Sequence, residues 1–317
     1  MTKIFLFSCF IFSFSLFSQK KYAKKFQFKN DNDLYVSAHR DKYYTNGMFL
    51  TYSYLSKKNK NTKIEKRIID WQIGHQMYTP YLSTLILASK HDRPFASYLF
   101  GSHAVHKFYK NNRILTTEIQ FGIIGPAAFG KELQTFIHNI YDFKEPIGWK
   151  YQIKNAVGLN YNTTYIKPLG KYTSNKYDIS WYNNAKIGTI FTDISTGIYT
   201  RLGFKPLQKL VNSIAFNANL NNSTTNYTNQ KESFIFIKPT ISYVMYDATI
   251  QGSFLNTSSS ITKEVIPFKF DLEVGFKFIA RNLNLIYSAH YHTNKSKNLH
   301  HTNGNLYGTI EINYLFN

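Results

Sequence analysis

The sequence holds a single cysteine, Cys9, and it lies inside the apolar N-terminal run of residues 4–17. That run follows Lys3 and ends at Ser18-Gln19 before Lys20-Lys21. It has the form of a secretory signal, with an apolar stretch too short to cross a bilayer. Residues 1–18 are therefore read as a signal peptide and residues 19–317 as a single domain. Phe10 after Cys9 does not suit a lipoprotein anchor. The exported chain then carries no cysteine, which excludes a disulfide scaffold and any thiolate metal site. Proline is scarce, at 8 residues, which argues against a disordered or linker-rich chain. No later stretch approaches the roughly 20 consecutive apolar residues of a membrane helix. No G-x-S-x-G elbow is present, so a serine hydrolase of that type is excluded. Acidic residues are few, 18 against 38 Lys and Arg, for a net charge of +20. Such a balance suits an anionic partner. Export, with no nucleic-acid module in sight, favours lipid phosphate over nucleic acid.

The chain is rich in aromatics, with 25 Tyr and 27 Phe, and these recur with period two. Met48, Leu50, Tyr52 and Tyr54 share one face of a strand, and Ile69, Trp71 and Ile73 share the next. The clearest case alternates Phe268, Phe270, Leu272, Val274, Phe276 and Phe278 with Lys269, Asp271, Glu273, Gly275 and Lys277. Large apolar groups on one face and charges on the other fit a strand between lipid and a polar lumen. A soluble β-sandwich would alternate too, but aromatics along most of the apolar faces favour the membrane. The expected fold is all-β, a transmembrane outer-membrane β-barrel of about 12 antiparallel strands with a short helix in an extracellular loop. The strands are expected near 25–31, 45–55, 66–77, 94–108, 113–125, 151–166, 176–189, 192–203, 234–248, 266–279, 282–293 and 305–316. An even number closes the sheet with both termini at the periplasmic rim. Residues 205–232, rich in Asn and Thr, are too long for an ordinary periplasmic turn, so they either fold into the lumen or hide a miscounted strand.

One stretch breaks the pattern. Residues 125–152, GPAAFGKELQTFIHNIYDFKEPIGWKYQ, contain a helix-like run from Gly130 to about Tyr141. Gln134 and His138 share a helix face, and Asp142 follows one turn later. That face is either catalytic or a polar, solvated face of a loop helix. Strand parity places connections 1–2, 3–4 and 5–6 together on the extracellular side. They hold Asn30-Asp31-Asn32-Asp33 with D-x-Y-Y-T-N-G (41–47), Tyr78-Thr79-Pro80 with Asp92-Arg93-Pro94, and the 125–152 stretch. Asn and Asp clusters are ordinary turn residues. As oxygen donors, however, Asn30, Asp31 and Thr45 suit a hard cation such as Ca²⁺. Alternation puts Asp31 and Thr45 on the polar face and Asn30 on the other, so a bulge or loop is needed to unite them. His39, His91, His103 and His106 follow no zinc spacing. His290 and His292 share a strand face and either fill the lumen or chelate a metal. A histidine-activated water is the natural nucleophile for any hydrolysis here.

Taken in order, NDND, D-x-Y-Y-T-N-G, Y-T-P, D-R-P-F-A, G-x-x-G-P, Q-x-x-x-H and P-x-G-W-x-x-Q resemble the LpxR-type lipid A 3′-O-deacylase family of outer membranes. The motifs span residues 28–159. The resemblance implies a twelve-stranded barrel that removes the 3′ acyloxyacyl group of lipid A, or lipopolysaccharide, in a Ca²⁺-dependent ester hydrolysis. It implies His138 as general base, Gln134 as a binding and orienting residue, and Asn30, Asp31 and Thr45 as the cation site at the oxyanion. Lys144 stands where the family pattern has a glutamate, which leaves Asp142 or Glu145 to orient the imidazole. Leu85 stands where a lysine is expected, with Lys90 the nearest candidate. The alternatives are a non-enzymatic porin-like or lipid A-binding barrel, and an outer-membrane phospholipase.

Overall fold

Twelve antiparallel strands close into a barrel, each paired with its sequence neighbours, and β1 pairs with β12 to complete the ring. The computed structural model describes residues 21–36, 42–56, 61–170, 175–222, 225 and 231–317. The expected signal peptide, Asp41, His39 and residues 57–60 lie outside the described residues. The strands are β1 (Lys24–Asn32), β2 (Tyr43–Leu55), β3 (Ile64–Thr79), β4 (Ala96–Tyr109), β5 (Ile114–Ile124), β6 (Ala156–Leu169), β7 (Tyr177–Gly188), β8 (Phe191–Gly203), β9 (Ser233–Asp247), β10 (Phe268–Ala280), β11 (Leu283–His292) and β12 (Asn305–Phe316). Two helices lie between them, α1 (Gly130–Tyr141) and the single turn α2 (Ala248–Gln251). The strand count matches the expectation. The largest shift is at β6, which starts five residues late because Ile147–Tyr151 form a 3₁₀ turn.

Alternation sorts the two faces of the wall. Phe26, Phe28, Leu50, Trp71, Ile73, Ile119, Phe121, Val157 and Leu159 are exposed and form an outward apolar belt. The intervening residues point inward, where Lys29, Asp31, Asp70, Gln72, Glu118, Asp193, Lys269 and Asp271 line a polar cavity of about 500 Å³. This is the arrangement of a barrel that faces hydrocarbon outside and polar groups within. His290 belongs to this lumen. Its Nε2 lies 2.9 Å from both the Ser288 and Thr309 hydroxyls, and its ring stacks on Tyr307.

The long segment after β8 folds into the lumen at the rim that carries the termini. Leu210, Val211, Ala218 and Leu220 pack with Leu55, Ile68, Phe108 and Ile114 of the wall. Buried Lys66 on β3 holds it, donating to the carbonyls of Ala218 and Leu220 and the side chains of Asn212 and Asn221. A second tie is Arg201, paired with Asp178 and Glu232, with Ser213 of the plug bonded to both Arg201 and Glu232. Of the two readings of residues 205–232, the lumenal one is observed for the described part.

Candidate active site on the outer wall

The stretch that carries α1 is fixed to the outside of β3 and β4 at the rim opposite the termini. Counting outward from Trp71 and Ile73, the same face of β3 carries His75, Met77 and Thr79. His75 Nε2 lies 2.8 Å from the Ala128 carbonyl, just ahead of α1. Met77 packs with Phe95 and Trp149. Gly130 opens α1 directly over Ser97, also on the outer face. A Cβ at that position would come within 2.5 Å of the Ser97 Cβ and 2.6 Å of the Trp149 ring, so only glycine allows the helix this close. The helix therefore lies against the outer wall, not over the mouth of the barrel.

Its faces are sorted in an unusual way. Gln134 and His138 are 1% and 3% exposed, so the polar face is turned to the wall. Phe129, Phe136 and Ile140 are 59%, 62% and 60% exposed. At ~100° per residue these three form one stripe, with exposed Glu132 and Asn139 beside it. A solvated polar face, the bland alternative for this helix, is not what the structure shows.

The buried face is held by two strong contacts. The His138 Nδ1 lies 2.6 Å from the Lys144 carbonyl, and its ring meets Phe143 edge-on at 5.5 Å. A carbonyl only accepts, so Nδ1 carries the proton and Nε2 is the basic nitrogen of the neutral ring. Asp142 caps the helix in a left-handed conformation, φ 53°, with its N–H donated to the His138 carbonyl. Its side chain and that of Glu145 are exposed. The backbone of Lys144 thus makes the Nδ1 contact that was sought from a carboxylate. Gln134 accepts a 2.6 Å hydrogen bond from the Trp149 indole N–H, and its own Nε2 is buried without a partner.

The residues expected to hold a cation are not brought together. Asp31 faces the lumen, where Tyr44 and Thr309 donate to its two oxygens at 2.8 and 2.7 Å and Lys29 lies 3.4 Å away. Asn30 faces outward, its Nδ2 donating to the Gly47 carbonyl and its Oδ1 accepting from Tyr35. The β2–β3 register shifts between Tyr44 and Asn46, leaving Thr45 as the extra residue of a bulge. That bulge turns Thr45 outward, 2.7 Å from the Thr79 hydroxyl. The bulge exists as expected, but it moves Thr45 to the face of Asn30 and away from Asp31. Asn30 and Thr45 supply neutral oxygens only, and the one carboxylate of the trio lies across the wall. Among the described residues no cluster of three or more His, Cys, Asp and Glu side chains could hold a metal ion.

Sequence reasoning passed over several polar groups here. Asn32 ends β1 on the parity of Asn30, its Oδ1 accepting the Leu34 N–H, and buried Asp33 accepts the Lys42 N–H. Asn46 Oδ1 and His75 Nδ1 are buried without partners on the same outer face. Each lies in a motif-bearing stretch, Asn32 and Asp33 in NDND, Asn46 in D-x-Y-Y-T-N-G and His75 just ahead of Y-T-P, but none was given a role there. The Leu85 carbonyl accepts from His91, and Lys90 lies in a 3₁₀ turn with no buried residue. Behind the rim, buried Arg93 donates to Thr249 of α2 at 3.0 Å and ties the 80–95 loop to the barrel mouth. Burial and the neighbouring Lys269 push Lys295, in the β11–β12 loop, down to about 8.

The fold and the outer-wall site define a twelve-stranded outer-membrane barrel with a loop helix docked on its wall. The chain belongs to the family described as outer membrane protein LpxR, which it matches over residues 4–316. That family makes it an outer-membrane lipid A deacylase by class. Among solved structures, LpxR from Salmonella typhimurium is similar at TM-score 0.72 and 18% identity, covering 92% of this chain and 100% of that one. The β domain of the Bordetella autotransporter BrkA gives TM-score 0.46 at 7% identity, covering 94% and 100%. The NalP translocator domain from Neisseria meningitidis gives 0.41 at 10%, covering 99% and 96%. Comparison with curated protein sequences finds no match.

Proposed function

We propose that this chain hydrolyses the 3′-linked acyloxyacyl ester of lipid A from the outer leaflet, with His138 as general base. The observation that carries the reading is the sorting of α1. Its polar face, with Gln134 and His138, is packed on the wall, while its apolar stripe of Phe129, Phe136 and Ile140 is exposed, as the outward belt of the barrel is. A lipid ester reaching that seam from the leaflet would meet the imidazole without leaving the membrane surface. The porin-like alternative has no comparable support, since the lumen holds the plug of residues after β8.

In this mechanism the Lys144 carbonyl holds Nδ1–H, and Nε2 takes a proton from water as the water oxygen attacks the ester carbonyl. Collapse breaks the bond to the sugar oxygen, and the proton held on Nε2 passes to that oxygen. The products are the free acyloxyacyl acid and a sugar hydroxyl. The expected Ca²⁺ site does not fit the donors as arranged, because Asp31 faces the lumen, so no step is routed through a cation. The test is mass spectrometry of lipid A from a host expressing the wild type or His138→Ala. A drop of about 10²–10⁴-fold in 3′ acyl loss is expected for the variant, with barrel insertion unchanged. Equal acyl loss in the two would sink the assignment. Release of acyl chains from glycerophospholipid in preference to lipid A would replace it with a phospholipase.

A further inference from the structure

We propose that Trp149 is a positioning residue, which fixes the Gln134 amide so that its Nε2 donates to the oxyanion formed during ester hydrolysis. This rests on the deacylase reading above and adds to it one positioned protein donor at the oxyanion.

An indole N–H can only donate, so its partner on Gln134 must be the carbonyl oxygen. The 2.6 Å bond therefore sets which way the amide is turned. Were the amide flipped, its NH₂ group would face the indole N–H, donor against donor. With Oε1 held, Nε2 is left on the wall-facing side of α1, buried and without a partner. Leaving a buried amide N–H unpaired costs roughly 1–3 kcal/mol, which a ligand acceptor arriving there would recover. One turn along, on the same face, stands His138. A base and an aimed donor one helical turn apart, about 5–6 Å between Cβ atoms, are spaced to flank one reacting carbonyl.

Trp149 is itself rigidly placed. It is buried against Phe95, with ring centroids 4.8 Å apart, and against Met77, while Gly130 of α1 lies on its ring. The indole is thus anchored to β3 and to the start of β4, and it transmits that position to Gln134. A donor fixed before the substrate arrives needs no reorganisation as charge develops, which is the condition under which such donors matter most.

The experiment is a double-mutant cycle of Trp149→Phe and Gln134→Leu, each assayed for kcat and KM on purified lipid A. Gln134→Leu is expected to lower kcat by about 10²-fold with KM little changed. Trp149→Phe keeps the ring and its packing but frees the amide, and a loss of at least about tenfold in kcat is expected. In the double variant the loss should equal that of Gln134→Leu alone, because Trp149 acts only through the amide. Additive losses would mean a packing role and overturn the proposal, as would a kcat unaffected by Trp149→Phe. Gln134→Glu guards against misfolding. It keeps an acceptor for the indole but removes the donor, so activity should fall while the Trp149 contact survives. Full activity in Gln134→Glu would overturn the proposal. The contact is read separately by ¹⁵N-tryptophan NMR, since the chain has 3 tryptophans and few indole signals to resolve. The Trp149 indole proton should lie downfield in wild type and Gln134→Glu and move upfield in Gln134→Leu. A wild type that does not release acyl chains from lipid A would instead sink the deacylase reading, with the indole signal still reporting the hydrogen bond.

Discussion

Asp31 and Thr45 show how much a single residue of register decides. In an unbroken strand they would share a face, and with Asn30 opposite them the expected cation site looked one small distortion from complete. The extra residue in β2 is that distortion, and it acts in the other direction, sending Thr45 outward while Asp31 keeps its lumenal partners. Two opposite outcomes follow. Asp31→Ala leaves the Tyr44 and Thr309 hydroxyls without their acceptor and should cost roughly 1–3 kcal/mol of barrel stability. Its effect on deacylation should stay below about threefold. Thr45→Val should leave the melting temperature close to wild type and reduce deacylation instead. Thermal melts in detergent and lipid A mass spectra separate the two. Loss of activity in Asp31→Ala, with restoration by excess Ca²⁺, would return Asp31 to a cation site and contradict its lumenal placement.

At the scale of elements, the strands were legible because period two survives wherever one face meets lipid and the other a polar lumen, as in Phe268 to Lys277. The helix α1 was legible as a helix, and Gln134 and His138 as a shared face. What no periodicity contains is the direction that face points. It is set by Gly130 on Ser97 and by Trp149 between Met77 and Phe95, contacts made by residues far apart in sequence. The carboxylate expected at residue 144 was sought among side chains. A backbone carbonyl fills the position, and a carbonyl has no sequence signature. The plug was ambiguous for the same reason, since its anchor is Lys66, in a strand more than a hundred residues earlier. Lys66→Met removes the donor to two carbonyls and two side-chain amides. Buried acceptors left unpaired cost about 1–3 kcal/mol each, which should loosen the plug despite its second tie at Arg201. Planar-bilayer recordings should show conductance in Lys66→Met well above that of wild type. Identical recordings would mean that packing by Leu210, Val211 and Leu220 holds the plug without the lysine.

At the scale of the whole molecule, the chain separates two jobs that many barrels merge. The lumen is plugged at one rim and cross-linked, with Arg201, Asp178 and Glu232 at one end and Arg93 with Thr249 at the other. On the proposed reading, chemistry is placed on the outer surface, where the substrate's own solvent is the membrane. Such a site works only if the helix that covers it sits at the depth of the ester. The apolar stripe of Phe129, Phe136 and Ile140 and the exposed Leu82, Ile86 and Leu87 of the neighbouring loop supply that depth setting. A charge on the stripe should be tolerated by the fold, since these side chains make little contact with the wall, but it should lift α1 away from the acyl region. Lysine on a lipid face costs about 2–4 kcal/mol at the midplane and falls toward zero near the interface, so a partial penalty applies here. Phe136→Lys with Ile140→Lys should therefore slow deacylation of lipid A in vesicles by roughly tenfold while leaving the rate on detergent-dispersed lipid A near wild type, because a micelle reshapes around the charged helix. The two assays run on one protein preparation provide the comparison. Equal losses in vesicle and micelle would show that the substitutions damage the His138 face itself, and the apolar stripe would then have no part in presenting the ester to it.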